Sequence, residues 1–182
     1  MDYRKIDVDL AYRLLGHGPL VLVASQASDG RPNVAPIAWN CPVQDAPTQV
    51  MLAIERTHQT YRNLQTTGIF ILCVPIADQA QLVRDLGSVS GKEVDKYSRF
   101  NFPVRQGRGL KLKVPDGCLA YLEGVVTQNF ELKDMGLILG ECRFALARDD
   151  GFQERLLVHL PAGKTLHHLG GGVFATPDDE VV

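Results

Sequence analysis

The chain lacks any apolar run of membrane-spanning length and any basic tail. A spanning helix needs about 20 such residues, so no membrane segment is expected. The formal net charge of -2, with no arginines interleaved among aromatics, argues against nucleic acid as a partner. Only four cysteines occur, Cys41, Cys73, Cys118 and Cys142, all inside apolar runs and none in a C-x-x-C pair. That pattern reads as reduced, buried thiols and removes zinc-ribbon and disulfide frameworks. Histidines number five. His17 and His58 stand alone, while His167 and His168 are neighbours that a strand would point to opposite faces. No H-E-x-x-H occurs, and no G-x-G-x-x-G follows the first apolar run. Gly163-Lys164-Thr165 imitates the end of a phosphate-binding P-loop, but Val158 stands where its first glycine is required. Gly87-Ser88-Val89-Ser90-Gly91 has its serines misplaced for a nucleophile elbow. The carboxylates form no evident acid–base pair. Hydrolase, nucleotide-kinase and Rossmann readings therefore fall away, and what is left fits chemistry carried by a bound cofactor. The N-terminus leads into mixed charge rather than a secretory core, so a cytoplasmic location is expected.

What is present fits a soluble, mainly β protein. With 182 residues, 45% of them hydrophobic, a single domain over 1–182 is expected, able to bury roughly 70% of its unfolded surface. An opening helix is predicted over Val8 to Leu15, and strands over Pro19–Ser25, Asn33–Pro42, Gln49–Ile54 and Ile69–Val74. Helices are predicted from Thr57 to Leu64, with Gly68 as the stop, and from Gln79 to Leu86, with Asp78 as N-cap. Two long strands follow, Cys118–Leu132 and Gly136–Arg148, with a short one at Leu156–Leu160. Short strands with frequent turns and too few helices for regular βαβ units point to an antiparallel barrel with a few short helices.

Four stretches have the chemistry to hold a ligand. Gly87-Ser88-Val89-Ser90-Gly91-Lys92-Glu93-Val94-Asp95-Lys96-Tyr97 offers glycine-exposed N–H groups, hydroxyls and ammonium groups for a phosphate; it could also be an ordinary solvated loop. Arg56-Thr57-His58-Gln59-Thr60 opens a helix after a strand, where free N–H groups and the helix dipole attract anions; Thr57 could equally be a simple N-cap. In Asn33-Val34-Ala35-Pro36-Ile37-Ala38-Trp39, strand parity puts Asn33, Ala35, Ile37 and Trp39 on one face. The small residues there would let a flat ring approach the backbone, though the lone Trp39 could be a core anchor. Leu169-Gly170-Gly171-Gly172-Val173-Phe174 combines close backbone approach with an aromatic, or is a mobile tail.

Taken in order with the Gly18–Ser25 strand, Asp29-Gly30-Arg31-Pro32-Asn33 and Leu139-Gly140-Glu141, these motifs cover nearly the whole chain. Together they resemble the flavin-reductase-like, FMN-binding split-barrel family of the flavoredoxin type. The resemblance implies a six-stranded antiparallel split barrel, a homodimer, and one FMN per subunit near the interface. It also implies FMN-binding roles along the chain. Asn33 and the small stretch Ala35, Pro36, Ile37 and Ala38 would lie near the flavin, with Trp39 beside its ring. Thr60 would lie at the phosphate, helped by Thr57 and Arg56, with Ser90 in the phosphate-side loop and Lys96 holding the cofactor. Phe174 stands where many relatives carry tyrosine. Met135 stands where relatives often carry histidine, and it can neither donate a hydrogen bond nor carry charge.

The implied activity is NAD(P)H:flavin oxidoreduction, in which NADH or NADPH stacks on FMN and no side chain is itself catalytic. Reduced flavin or its electrons would then pass to an oxygenase or another redox protein. Two alternatives stay open: a flavoredoxin-like electron carrier with little NAD(P)H activity, and a non-catalytic module binding flavin or haem, for which His58 or His168 would be the ligand.

Overall fold

The computed structural model describes residues 1–178 and is mainly β with a few short helices. The strands are β1 (Tyr3–Lys5), β2 (Val21–Gln26), β3 (Pro32–Ile37), β4 (Asn40–Gln44), β5 (Gln49–Glu55) and β6 (Ile69–Val74). They continue with β7 (Val104–Gln106), β8 (Lys113–Pro115), β9 (Ala120–Leu132), β10 (Met135–Arg148), β11 (His167–Gly170) and β12 (Val173–Ala175). The α-helices are α1 (Gln59–Thr67), α2 (Ala80–Ser88) and α3 (Lys96–Phe100). None of the helices among the described residues is long and apolar enough to cross a membrane.

Eight strands form one antiparallel sheet in the order β3-β2-β6-β9-β10-β5-β4, with β1 on the far half of β10. The edges of this order, β3 and β4, are separated in the chain only by Ala38 and Trp39. Two residues span less than about 11 Å between their neighbours, so the sheet has to roll until its edges meet. No ladder joins those edges. The sheet holds eight strands rather than the expected six, and β10, 14 residues long, carries both β5 and β1 along one side.

The predicted strand Asn33–Pro42 is broken at Ala38-Trp39. Asn40 fixes the break by donating through Nδ2 to the carbonyls of Pro19 at 2.9 Å and Ile37 at 3.2 Å. The carbonyl of Trp39 accepts from Ala53 N–H at 2.9 Å.

Both faces of β2 and β6 are buried, which is why they read as continuous apolar runs. Val21 and Val23 join Leu52, Ile54, Phe70 and Leu72 in the inner core. Leu22, Ala24, Ile71 and Cys73 face outward beneath Val83 and Leu86 of α2 and Val114 of β8. Each such aliphatic side chain contributes about 1.5–3 kcal/mol relative to exposure. The short β7–β8 hairpin escapes the sequence pattern. It is held by a buried carboxylate, Glu123 of β9, which accepts from the N–H groups of Arg108 at 2.5 Å, Gly109 at 2.9 Å and Leu110 at 2.7 Å.

Several local expectations shift. The opening helix predicted over Val8 to Leu15 is present as a 3-10 helix, Val8–Leu14, capped by Asp7. Asp78 lies in a 3-10 turn, and α2 begins two residues later, at Ala80. Helix α1 starts after His58 and ends, as its glycine predicts, at Gly68 with φ of 67°. Leu156–Leu160 is not a strand; only Leu156 bridges, to Phe152. The glycine-rich tail is instead a hairpin, β11–β12, and Gly170, Gly171 and Gly172 all take positive φ at its turn. His17 does not stand alone, because its ring lies 5.3 Å from that of His167, at the foot of this hairpin.

Inside the roll, the Phe70 ring packs closely against two glycines, Gly124 and Gly140. A Cβ on Gly124 would sit 2.5 Å from Phe70 Cζ and 2.8 Å from the Glu141 carbonyl oxygen. Gly124→Ala is therefore expected to lower unfolding stability by about 1–3 kcal/mol in a denaturant titration; an unchanged midpoint would show that the ring can move aside.

Candidate functional site

Strand β3 is a free sheet edge carrying Pro32 and Pro36, residues that cannot donate to a further strand. Two adjoining cavities of about 330 and 380 Å³ lie along it. The first is lined by Asn33, Ala35 and Pro36 of β3, Thr60 of α1, Ser90 of the loop after α2, and Lys96 of α3. The second is lined by Pro36 again, with Ala38 and Phe174.

Lys96 is placed by a short helix with a strong cap. Asp95 accepts from Tyr97 N–H at 3.0 Å and from Ser98 Oγ at 2.7 Å, which starts α3 at Lys96. Tyr97 ties α3 to β8 by donating its hydroxyl to the Lys113 carbonyl at 2.6 Å. Lys96 is thereby turned inward and is only 4% exposed. Its Nζ donates to the Leu86 carbonyl at 2.5 Å, which uses one of three ammonium donors. Among the described residues no carboxylate pairs with it. Burial pushes its pKa down from 10.5 to about 8, since a desolvated ammonium is penalised unless an anion is near.

The opposite wall is built from side-chain amides. Asn33 donates through Nδ2 to Thr60 Oγ1 at 2.9 Å, both groups being buried. Behind them Gln59 donates to Asn63 Oδ1 at 2.7 Å, and Asn63 donates to Ser25 Oγ at 3.1 Å. Gly91 lies so close that a Cβ there would overlap the Asn33 amide oxygen. Glycine is thus what lets the loop close against β3. The N-cap of α1, His58, makes no side-chain capping bond, so the positive end of the helix is left beside Thr60. An ammonium, two hydroxyls and a helix N-terminus make a cavity suited to a phosphate or another oxyanion.

Not every residue singled out by the sequence arrives here. Ile37 shares the face of Asn33 and Ala35 but packs into the inner core. Trp39 lies on the bend between β3 and β4 and is 66% exposed, so it is no core anchor. Arg56 points away to the β9–β10 hairpin, where its guanidinium pairs with Glu131 at 2.9 Å and donates to the Lys133 carbonyl at 3.1 Å. Met135 is on that same hairpin, paired with Leu132 and Glu55. Thr57 is exposed and precedes the cap. His58, Gln59, Gly87 and Ser88 line the first cavity without a sequence signal of their own; only their place inside the two quoted stretches could have marked them.

Residues 15–165 match the sequence profile of the flavin reductase like domain. The chain therefore belongs to that family. It is 32% identical over 181 residues to the uncharacterized protein YddH of Escherichia coli (strain K12), covering 97% of this chain and 95% of that one. Its fold is similar to the crystal structure of an FMN-binding domain of a flavin reductases-like enzyme from Shewanella baltica OS155, with a TM-score of 0.89, 25% identity and coverage of 100% and 97% of the two chains. It is also similar in fold to flavoredoxin from Methanosarcina acetivorans, with a TM-score of 0.78, 20% identity and coverage of 90% and 87%.

The depressed pKa of Lys96 has a signed consequence. Between about 8 and its ordinary value of 10.5 the unfolded chain holds the proton and the ligand-free folded chain does not. Stability then rises with pH across that window, by up to about 3 kcal/mol from this one group. The rise is expected in the difference between the parent chain and Lys96→Met, measured by denaturant unfolding at pH 7.5 and 10; a flat difference would mean that the ammonium is well solvated.

Proposed function

We propose that this chain is an FMN-binding oxidoreductase that transfers a hydride from NADH or NADPH to the flavin. The observation that carries this reading is Lys96, a buried ammonium with one carbonyl partner, lining a cavity beside two hydroxyls. A phosphomonoester fits that donor set, and the family match makes flavin mononucleotide its bearer. Bound FMN would supply the hydride acceptor, which no side chain of the chain can replace.

The chain's own residues would hold, orient and shield. Lys96, Ser90 and Thr60 would bind the phosphate, with Asn33 bracing Thr60. Ala35 and Pro36 present little side-chain bulk, so a flat ring can lie along the edge of β3. Ala38 and Phe174 would meet the end of the ring at the mouth of the second cavity, and the apolar Leu20 and Val83 beyond them keep water from that end. Asn33, Ala35, Pro36, Ala38, Thr60, Ser90, Lys96 and Phe174 are thus the cofactor residues of this reading within one copy of the chain.

Trp39, Met135 and Arg56 would act through pairing of two copies. The outer face of β5, β10 and β9 carries Phe130 and Leu132, 53% and 61% exposed, on the same side as the half-buried Leu137 and Met51. Apolar surface of that kind favours a partner, and a homodimer would place the β9–β10 hairpin against it. The reading includes a single split-barrel domain over 1–182, a cytoplasmic location, and delivery of reduced flavin or electrons to an oxygenase or other redox protein. A second reading, electron carriage with little NAD(P)H activity, is favoured by Met135, which supplies no proton or charge where relatives often have histidine.

FMN is expected to quench the fluorescence of the lone Trp39 saturably at low micromolar concentration or below. With FMN present, NADH or NADPH should be consumed; negligible consumption of both would favour the carrier, and absence of FMN binding would end both readings. Lys96→Met should weaken FMN roughly 10- to 100-fold, as loss of a charge-assisted bond of about 1.5–3 kcal/mol implies, and should leave riboflavin within about two-fold. Equal losses would place Lys96 away from the phosphate.

A further inference from the structure

The second cavity differs in chemistry from the first. Leu20, Ala38, Val83 and Phe174 make its apolar walls, and the ionisable side chains in its lining are those of Arg84 and His168, both basic. Among the described residues no carboxylate lines it, whereas Glu93 and Asp95 line the small cavity at the other end of the groove. The two larger cavities share Pro36, Gly87 and Ser88, so an occupant of the second would lie against the proposed flavin ring.

Arg84 is held in place rather than free to wander. Its Nη1 donates to the Gly172 carbonyl at 3.2 Å and its Nε to Gln81 Oε1 at 3.4 Å. The guanidinium carbon lies 5.6 Å from the centroid of the Phe174 ring, and the His168 ring flanks the same phenyl at 5.7 Å. Among the described residues Arg84 has no carboxylate partner. Two of five guanidinium donors are used, and the remainder form a fork suited to two oxygens on one plane. Beside that fork the Phe174 ring lines the cavity, where a flat ring can pack against it.

We propose that this cavity is a subsite for a planar aromatic or conjugated carboxylate, with Arg84 binding the carboxylate and Phe174 and Pro36 packing on the ring. The role of the subsite as second-reactant position rests on the flavin reading; the binding itself does not.

The test uses benzoate and its neutral isostere benzamide, titrated by calorimetry into the full chain without flavin and then with FMN bound. Benzoate is expected to bind at least ten-fold more tightly than benzamide in both states. Arg84→Gln should bring the ratio to within two-fold, and Arg84→Lys should retain part of it. Because Arg84 also pins the hairpin, Phe174→Leu serves as the second variant: it should weaken both ligands by similar factors and keep the ratio. Equal affinities in the parent chain, or a preference that survives Arg84→Gln, would overturn the proposal even if FMN binds as expected. A benzoate preference in a chain that fails to bind FMN would uphold the subsite and remove the flavin reading.

Discussion

A single buried ammonium sets the terms for the site. Lys96 is buried against α2 with the Leu86 carbonyl as its partner and, among the described residues, no counter-charge. Burying a cation in that way costs free energy, and the chain spends several features to impose it: the Asp95 cap, the Tyr97 tether and the close approach of Gly91 to Asn33. Hydrophobic packing alone would have favoured a methionine there. The cost is explained if an anion relieves it, because a phosphate would restore to Lys96 what desolvation removes and draw Ser90 and Thr60 into the same contact. Binding and local order are then linked, since whatever neutralises Lys96 also ties α3, the loop after α2 and the start of α1 to β3.

The rolled sheet explains why this arrangement is found along β3. A sheet whose edges are consecutive strands must curl, yet the two-residue bend at Ala38-Trp39 does not bring those edges into register. The edge of β3 is therefore left for something other than a strand. Prolines at positions 32 and 36 prevent it from recruiting another chain by edge pairing, and small side chains keep it open to a flat molecule. In the proposed reading a usual liability of β-sheets becomes the flavin's wall, roofed by α2 and closed at one end by the hairpin that Arg84 holds.

Much of the fold was legible because it follows local rules. The continuous apolar runs of β2 and β6, the alternation of β5, the glycine stop of α1 and the length of β9 and β10 depend on residues near in sequence. The small hairpins were not legible, because β7 and β8 are held by Glu123 from a distant strand and β11–β12 by three glycines and a contact to α2. In the site, Asn33, Ala35, Pro36, Thr60, Ser90 and Lys96 could be marked from their chemistry and from the family resemblance, and one cavity gathers them. The direction of a side chain at an element end was beyond reach. Arg56 looked like a phosphate ligand from its place at a helix start, yet Glu131, 75 positions away in the sequence, holds it elsewhere. Parity likewise grouped Ile37 with Asn33, but the roll carries Ile37 inside while leaving Asn33 at the cavity.

The central claim is that Lys96 is a buried cation awaiting a phosphate, and its own titration tests this most directly. Nitrogen-detected NMR of the Lys96 ammonium, assigned by comparison with Lys96→Met, should give a midpoint near pH 8 without ligand. Addition of FMN should move that midpoint upward by at least one unit, while riboflavin should leave it in place. An ordinary lysine midpoint that neither ligand moves would contradict the account.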